Sequence, residues 1–378
     1  MAKRFALTLT LAAAAFAMLL ACGADSAPIR VGFSGQLTGP HSDLGVQGRN
    51  GAQLAVEEIN AAGGVDGRPL ELVAEDDQDT PEGAKEADGR LLEKGVVAII
   101  GHMTSSQTLA VMPDMQAWNA VLVSPTTATP LLEGKRDNFY RLISANTQWA
   151  MDLAQYAKSE GLGRAFLVGD ADNVGYTDTF LNTFEKRYRA EGGELAGKRL
   201  FSSKQGVRWA EVAGEINAAK PTVLIACTSA RDLARLAQAL RPTERGLRVL
   251  GPAWPSTRDL VDTGGKDVEG FEFVSNYAED NPHPPFAAFR ERYRKRFGWT
   301  PNFAAAFAYE SVSVLAHALG KTGGGRKGLE TALTDGTRHE GIIGPFSLDA
   351  NGDIRRPIFI IQVQRGGFVT KTTTGVAP

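Results

Sequence analysis

From Ile29 onward the apolar positions follow two alternating rhythms. Ile29–Ser34 reads as a strand, and a glycine-rich turn from Gly35 to Gly48 follows it. A helix then continues to about Ala62, with Ala52, Ala55, Val56 and Ile59 at helical spacing on one face and Gly63-Gly64 as its end. Leu70–Ala74 is a second strand. Thr80-Pro81 has the order of an N-cap and a first helical residue, and Ala84, Ala87 and Leu91 fall inward before Gly95 closes the helix. Val96–Ile100 is almost wholly apolar, as expected of a parallel strand covered on both faces. A helix opened by serine and threonine and a strand at Val121–Val123 complete this series.

A second series begins with a helix around Trp149–Glu160, where Ala150, Leu153, Ala154 and Ala157 share a face. Strands at Ala165–Gly169, Leu195–Phe201, Val223–Cys227 and Leu247–Leu250 alternate with helices near 177–190, 209–219 and 231–241. Short connections between alternating strands and helices require parallel sheets covered on both faces. The fold class is therefore α/β, and two doubly wound open parallel-sheet lobes fit the unequal segment lengths better than one closed barrel. Beyond about Tyr277 the pattern changes to two helices, Phe286–Phe297 and Phe303–Leu319. A β pair follows the Asn351-Gly352 turn, at Ile358–Val363 and Phe368–Thr370.

The ends set the compartment. Lys3 and Arg4 precede an apolar run from Phe5 to Leu20, and Leu19-Leu20-Ala21-Cys22 closes it. This is the layout of a secretory signal peptide over residues 1–21, too short for a bilayer-spanning helix. The ending resembles the bacterial lipobox, in which the thiol of Cys22 is acylated and the chain is cut before it. Residues 22–27 then form a lipidated tether, and the protein is expected on the periplasmic or cell-surface side of a membrane. No other stretch approaches the length and apolar character of a membrane span. The chain carries 41 basic against 43 acidic groups, a net charge of −2 that gives no polyanion-binding character and excludes nucleic acid as a partner. Cys227 is the one cysteine left after Cys22, so no intrachain disulfide is expected.

Catalytic signatures are missing. His41, His102, His283, His317 and His339 have no H-E-x-x-H or cysteine spacing around them, so neither a metal nor another cofactor is expected. No G-x-S-x-G elbow is present. Gly323 to Gly328 matches G-x-G-x-x-G literally but follows a helix rather than a strand, which makes it a loop. The chain is expected not to be an enzyme. The positive signal is Gly101 to Thr108, which ends a buried strand and opens a helix. Anions bind at such a place, and Ser105 and Ser106 add hydroxyls, although the same residues would also serve as plain helix caps. Ser124-Pro125-Thr126-Thr127-Ala128-Thr129-Pro130 repeats that logic after the next strand and supplies a second wall.

These segments carry a family resemblance. Gly35-Gln36-Leu37-Thr38-Gly39-Pro40, Ala55 to Gly67, Asp76-Asp77, Gly101 to Ser106, Ser124 to Pro130, Glu269-Gly270 and Ala308-Tyr309-Glu310 are similar, in this order and spacing, to the branched-chain amino-acid binding proteins of ABC transporters, a group of type I periplasmic binding proteins. The resemblance implies two lobes joined by three crossovers, near Asn146, Asn276 and Ser347, with a ligand cleft between them. Lobe 1 would hold residues 28–145 and 277–346, and lobe 2 residues 146–276 and 347–378. It further implies a ligand carboxylate held at Ser105, Thr126 and Ala128, with Leu44 in the side-chain pocket and lobe 2 contacts at Tyr176 and Ser229.

Three departures from the family pattern matter. The acidic partner of the ligand ammonium is replaced by Ala253, beside Trp254. Ala128 stands where the family has a hydroxyl, which Thr127 or Thr129 would have to supply. The lobe 1 disulfide has no cysteines. Either Asp170 or Asp172 takes over the ammonium, or the ligand has none. Tyr176 and Trp254 suit an apolar ligand body, or equally the packing of a lobe. The resemblance thus implies a monomeric, lipid-anchored binding protein that delivers a branched-chain amino acid or a similar small hydrophobic carboxylate to an ABC permease. The alternative is a ligand-sensing protein for aromatic or aliphatic carboxylates serving a membrane receptor.

Overall fold

The computed structural model describes residues 27–241 and 246–374, so Cys22 and the signal segment lie outside the described residues. The first sheet contains β1 (Ile29–Gly35), β2 (Leu70–Asp76), β3 (Ile99–Ile100), β4 (Leu122–Ser124) and β5 (Phe139–Arg141). Its order is β2-β1-β3-β4-β5, and every pairing is parallel. The helices of this part are α1 (Asp43–Ala61), α2 (Pro81–Glu93) and α3 (Ser105–Ala117). Then come α4 (Asn146–Ser159), β6 (Arg164–Asp170), α5 (Val174–Ala190), β7 (Glu194–Phe201), α6 (Trp209–Ala219), β8 (Val223–Cys227), α7 (Ala230–Leu240), β9 (Arg248–Pro252), α8 (Arg258–Gly264) and β10 (Glu272–Ser275). The chain ends with α9 (Pro284–Phe297), α10 (Phe303–Lys321), α11 (Leu329–Leu333), β11 (His339–Glu340), β12 (Pro345–Phe346), β13 (Ile358–Gln364) and β14 (Gly367–Thr374).

The second sheet has the order β14-β13-β10-β9-β8-β6-β7. Its first four strands in sequence and β10 run parallel, while the hairpin β13–β14 joins antiparallel at one edge. Strand alternation decides which helices cover which face. Phe166 and Val168 point toward Val212 and Ile216 of α6, Leu233 and Leu236 of α7 and Leu260 of α8. Ala165 and Leu167 point the other way, toward Trp149 and Leu153 of α4 and Phe180 and Phe184 of α5. In the first sheet Ile99 and Leu122 pack on α2 and α3, and Ile100 and Val123 on α1 and α10.

Local chemistry explains several boundaries. The Thr80 hydroxyl accepts from the Gly83 N–H at 2.9 Å, with Pro81 at the first helical position, as the sequence order predicts. The glycines of α1 are there for contact. A methyl group built on Gly51 would lie 2.0 Å from the Ala305 carbonyl oxygen of α10, and one on Gly45 only 1.9 Å from the Gln36 carbonyl oxygen. Strand β3 is shorter than the Val96–Ile100 run predicts, and β5 and β10 are strands the apolar pattern did not reveal. The expectation of no further span-like stretch fails for α10, which is long and apolar enough to cross a membrane but has Phe303 to Ala308 buried against α1.

Three connections pass between the sheets, after β5, after β10 and before β13, and side chains tie them together. Asn276 accepts from the Ser144 N–H at 3.1 Å and donates to the Pro357 carbonyl at 2.9 Å. The Ser144 hydroxyl accepts from the Arg356 N–H at 3.2 Å. The Arg356 guanidinium donates to the Leu142 carbonyl at 2.8 Å, pairs with Glu310 of α10, and lies between the rings of Phe307 and Phe346, 4.9 and 4.5 Å from their centroids. Both charged side chains are 2 % exposed. Arg356→Ala would leave Glu310 buried without its counter-charge and should lower stability by about 3–5 kcal/mol in urea unfolding. The double replacement Arg356→Met, Glu310→Leu should recover most of that loss.

Candidate ligand cleft

The carboxyl ends of the two sheets face each other, the place where open α/β sheets bind ligands. Lobe 1 contributes the segment after β3. Its peptide Gly101–His102 is cis, and the His102 ring is fully buried between Asp88, 2.9 Å from Nε2, and Asp77, 3.3 Å from Nδ1. These carboxylates raise the imidazole pKa to about 10, against the opposing effect of burial. The turn after β4 braces the same segment. Ser124 Oγ and Thr127 Oγ1 donate to the His102 carbonyl at 3.0 and 3.3 Å, and Thr126 Oγ1 donates to the Met103 carbonyl at 2.7 Å.

That bracing leaves the start of α3 open. Thr104 is the N-cap, yet its side chain caps nothing, and its hydroxyl is buried without a hydrogen-bond partner. The Ser105 hydroxyl is in the same condition, and so is the indole N–H of Trp149. All three border a small cavity between the lobes. Leu44, Met103, Ile143, Trp149, Tyr176, Ala253, Trp254 and Phe303 give it an apolar wall, and Thr104, Ser105, Thr126 and Asn173 a polar one. Tyr176 meets Trp254 edge to face, with centroids 5.8 Å apart at 78°.

The lobes touch across this cavity. Asn173 Oδ1 accepts from the Ser106 N–H at 3.1 Å, and Ser106 Oγ accepts from the Gly175 N–H at 3.3 Å. The Thr257 hydroxyl donates to Asp43 at 2.8 Å. His41 lies 3.5 Å from Asp79 and 3.3 Å from Asp232, which together raise its pKa to about 10.

Of the residues singled out in the sequence, Leu44, Ser105, Thr126, Tyr176 and Trp254 border this cavity. Ser106 does not: it joins the lobes. Thr127 is a brace, bonded to His102 and to Thr108 Oγ1 at 2.6 Å. Ala128 is fully buried and offers its carbonyl to the Asn146 N–H at 2.7 Å, so it fixes the first crossover instead of facing the cavity. Ser229 caps α7 and faces a neighbouring polar space with Asp170 and Asp172. Thr104, Asn173 and Trp149 escaped the sequence reading. Thr104 is legible as an N-cap, but Trp149 has the spacing of an ordinary core residue. Among the described residues no group of three or more His, Cys, Asp or Glu side chains is arranged to hold a metal.

Two facing open sheets with a lined cavity at their carboxyl ends define a two-lobed solute-binding protein of the type I periplasmic class. The chain belongs to the family described as periplasmic binding protein, whose pattern matches residues 28–367, and it is homologous to branched-chain amino-acid binding proteins. It is 25% identical over 364 residues to the Leu/Ile/Val-binding protein homolog 3 of Brucella melitensis, covering 94% of each chain. The fold matches the leucine binding protein LivK of Thermotoga maritima with a TM-score of 0.84 at 23% identity, covering 93% of this chain and 99% of that one. It also matches, at 0.84 and 20% identity, a solute binding protein of an R. palustris ABC transporter in complex with benzoate, covering 93% of this chain and 98% of that one.

A histidine whose folded pKa lies above its unfolded value near 6.5 stabilises fully below that pH and loses the contribution as pH rises toward 10. The stability difference between the native chain and His102→Gln should therefore be largest at pH 6 and shrink steadily toward pH 10, measured by thermal unfolding across that range.

Proposed function

We propose that this chain is the substrate-binding lipoprotein of an ABC importer, anchored through Cys22, and that it captures a small hydrophobic carboxylate in the cleft between its lobes. The observation that carries this reading is the set of three buried, unpartnered groups around the start of α3: the hydroxyls of Thr104 and Ser105 and the indole N–H of Trp149. The indole can only donate, the hydroxyls are free to do so, and a helix N-terminus favours negative charge. An acceptor-rich anionic group is their natural complement, and the apolar wall beside them takes a hydrocarbon body. The names of the relatives support the class, since one is a Leu/Ile/Val-binding protein homolog and one fold neighbour holds benzoate.

Charge-assisted hydrogen bonds contribute about 1.5–3 kcal/mol each, so Ser105→Ala should weaken ligand binding by about one to two decades in calorimetry. Converting the ligand carboxylate to its amide should cost at least as much. An amide that binds as well as the acid, with Ser105→Ala unaffected, would overturn the carboxylate assignment.

The membrane anchor is tested separately. In a bacterial host the native chain should fractionate with membranes and label with fatty acid, and Cys22→Ser should abolish both. Native protein recovered soluble with a free Cys22 thiol would refute the anchor.

A further inference from the structure

The amino ends of the strands in the first sheet lie opposite the cleft, and the chain enters there. Ala27 precedes β1, and its carbonyl accepts from the Arg68 guanidinium at 3.0 and 3.3 Å. The same guanidinium donates to the Gly323 carbonyl at 3.4 Å. Gly323 opens the glycine-rich stretch Gly323 to Gly328, which follows α10 and has no part in the cleft. Gly324 packs so closely on the chain entry that a methyl group there would lie 2.6 Å from Ile29 Cδ1. Beyond it the loop carries Arg326 and Lys327, and the Arg326 guanidinium donates to the Trp118 carbonyl at 2.7 Å. Trp118 ends α3 as its C-cap and is 41 % exposed.

We propose that this face of lobe 1 docks on the lipid surface, with Trp118 at the interface and Arg326 and Lys327 on anionic headgroups. The inference rests on the lipid anchor at Cys22 proposed above and adds the orientation of the anchored protein.

Reach and chemistry select the same face. Five residue steps separate Cys22 from Ala27. A chain spans at most about 3.6 Å per residue, so Ala27 lies within about 18 Å of an acylated Cys22. Arg68 ties the entering chain to the glycine loop, and the loop in turn is tied to Trp118. An indole has an apolar body and a polar N–H, which suits it to the headgroup level, where basic side chains meet phosphates. Nearby charges are largely spent: Arg30 pairs with Glu71 at 3.0 Å and Lys321 with Asp335 at 2.5 Å. Arg326 and Lys327 have no ion-pair partner among the described residues, and neither have Lys135 and Arg136. Those two precede Asn138, which donates to Asn119 beside Trp118 at 3.0 Å. Glu330 and Asp137 are the acids of this corner, while Glu133 turns into a groove with Asp349 and Asp353. The balance beside Trp118 is therefore positive, the sign that anionic lipid attracts. Strand β1 runs from this face toward the cleft, so the docked protein holds its cleft mouth on the solution side.

The test places the intact lipidated protein in vesicles of phosphatidylethanolamine and phosphatidylglycerol with brominated acyl chains, which quench indoles at the bilayer surface. Quenching should occur, disappear in Trp118→Phe and survive in Trp299→Phe. Trp299 is 64 % exposed but sits before Phe303, at the cleft end of α10. Reversing charge with Arg326→Glu and Lys327→Glu together should cut the quenching at least threefold while the protein stays bound through its lipid. Thermal unfolding of each variant should match the native protein, which guards against a folding defect. Vesicle-bound protein whose quenching is absent, or unchanged by Trp118→Phe, would overturn the docking face and leave the anchor standing. Should the native chain prove to carry no lipid, the same quenching is read on protein added to the vesicles from solution at low salt. Quenching through Trp118 would then sustain the face without the anchor, and its absence would overturn both.

Discussion

The arrangement of the two sheets depends on one buried ion pair, Arg356 with Glu310. Arg356 belongs to the third connection between the sheets, Glu310 to the long helix α10, and the guanidinium also holds the Leu142 carbonyl of the first connection. Asn276 brings in the second connection through Ser144 and Pro357. A buried pair of this kind adds little net stability compared with an apolar replacement, but its geometry is demanding, because separating its members strands two charges in a low dielectric. Relative movement of the lobes therefore has to occur about this cluster and not through it. The carboxyl ends of both sheets are held facing each other, which is the condition for a cleft there.

The same principle of satisfied polar groups explains which groups the cleft leaves open. The sequence offers two hydroxyl-rich segments, and both look like walls of an anion pocket. In the fold the second is consumed in bracing the first: Ser124, Thr126 and Thr127 give their hydrogens to the carbonyls of His102 and Met103. His102 is itself clamped by Asp77 and Asp88. This chain of internal bonds removes most of the local hydroxyls from consideration and leaves Thr104 and Ser105 with nothing to bond. A polar group buried without a partner costs about 1–3 kcal/mol, so its persistence at the border of a cavity points to a ligand atom as its partner.

Much of the fold was legible because its signals are local. The runs at Val223–Cys227 and Ala165–Gly169 and the capping order Thr80-Pro81 need no knowledge of the rest of the chain. Strand β10 and the three-residue β5 were not legible, since their pairing partners, not their own composition, make them strands. The site was half legible for the same reason. Ser105, Tyr176 and Trp254 follow strand ends, where position alone suggests a cleft. Ala128 and Thr127 follow a strand end too, but their side chains turn into the core, and no periodicity distinguishes the two outcomes. Trp149 carries the spacing of a core residue and is one, with only its N–H left for the cavity.

The distribution of the unpartnered groups would couple the binding of a ligand to lobe contact. Thr104 and Ser105 stand on lobe 1, while Trp149 stands on lobe 2. A ligand held by one lobe alone would satisfy only part of this set. Direct polar contacts between the lobes at this site join Ser106 with Asn173 and Gly175, Asp43 with Thr257, His41 with Asp232, and Lys204 with the Asp79 carbonyl. Polar contacts of this type exchange protein bonds for water bonds and so contribute little net free energy. The larger difference between joined and separated lobes then comes from what lies between them, because a ligand shifts a conformational equilibrium only by its differential affinity for the two states. A cleft that divides its recognition groups between two bodies makes that differential large for a solute matching both, and small for one matching either alone.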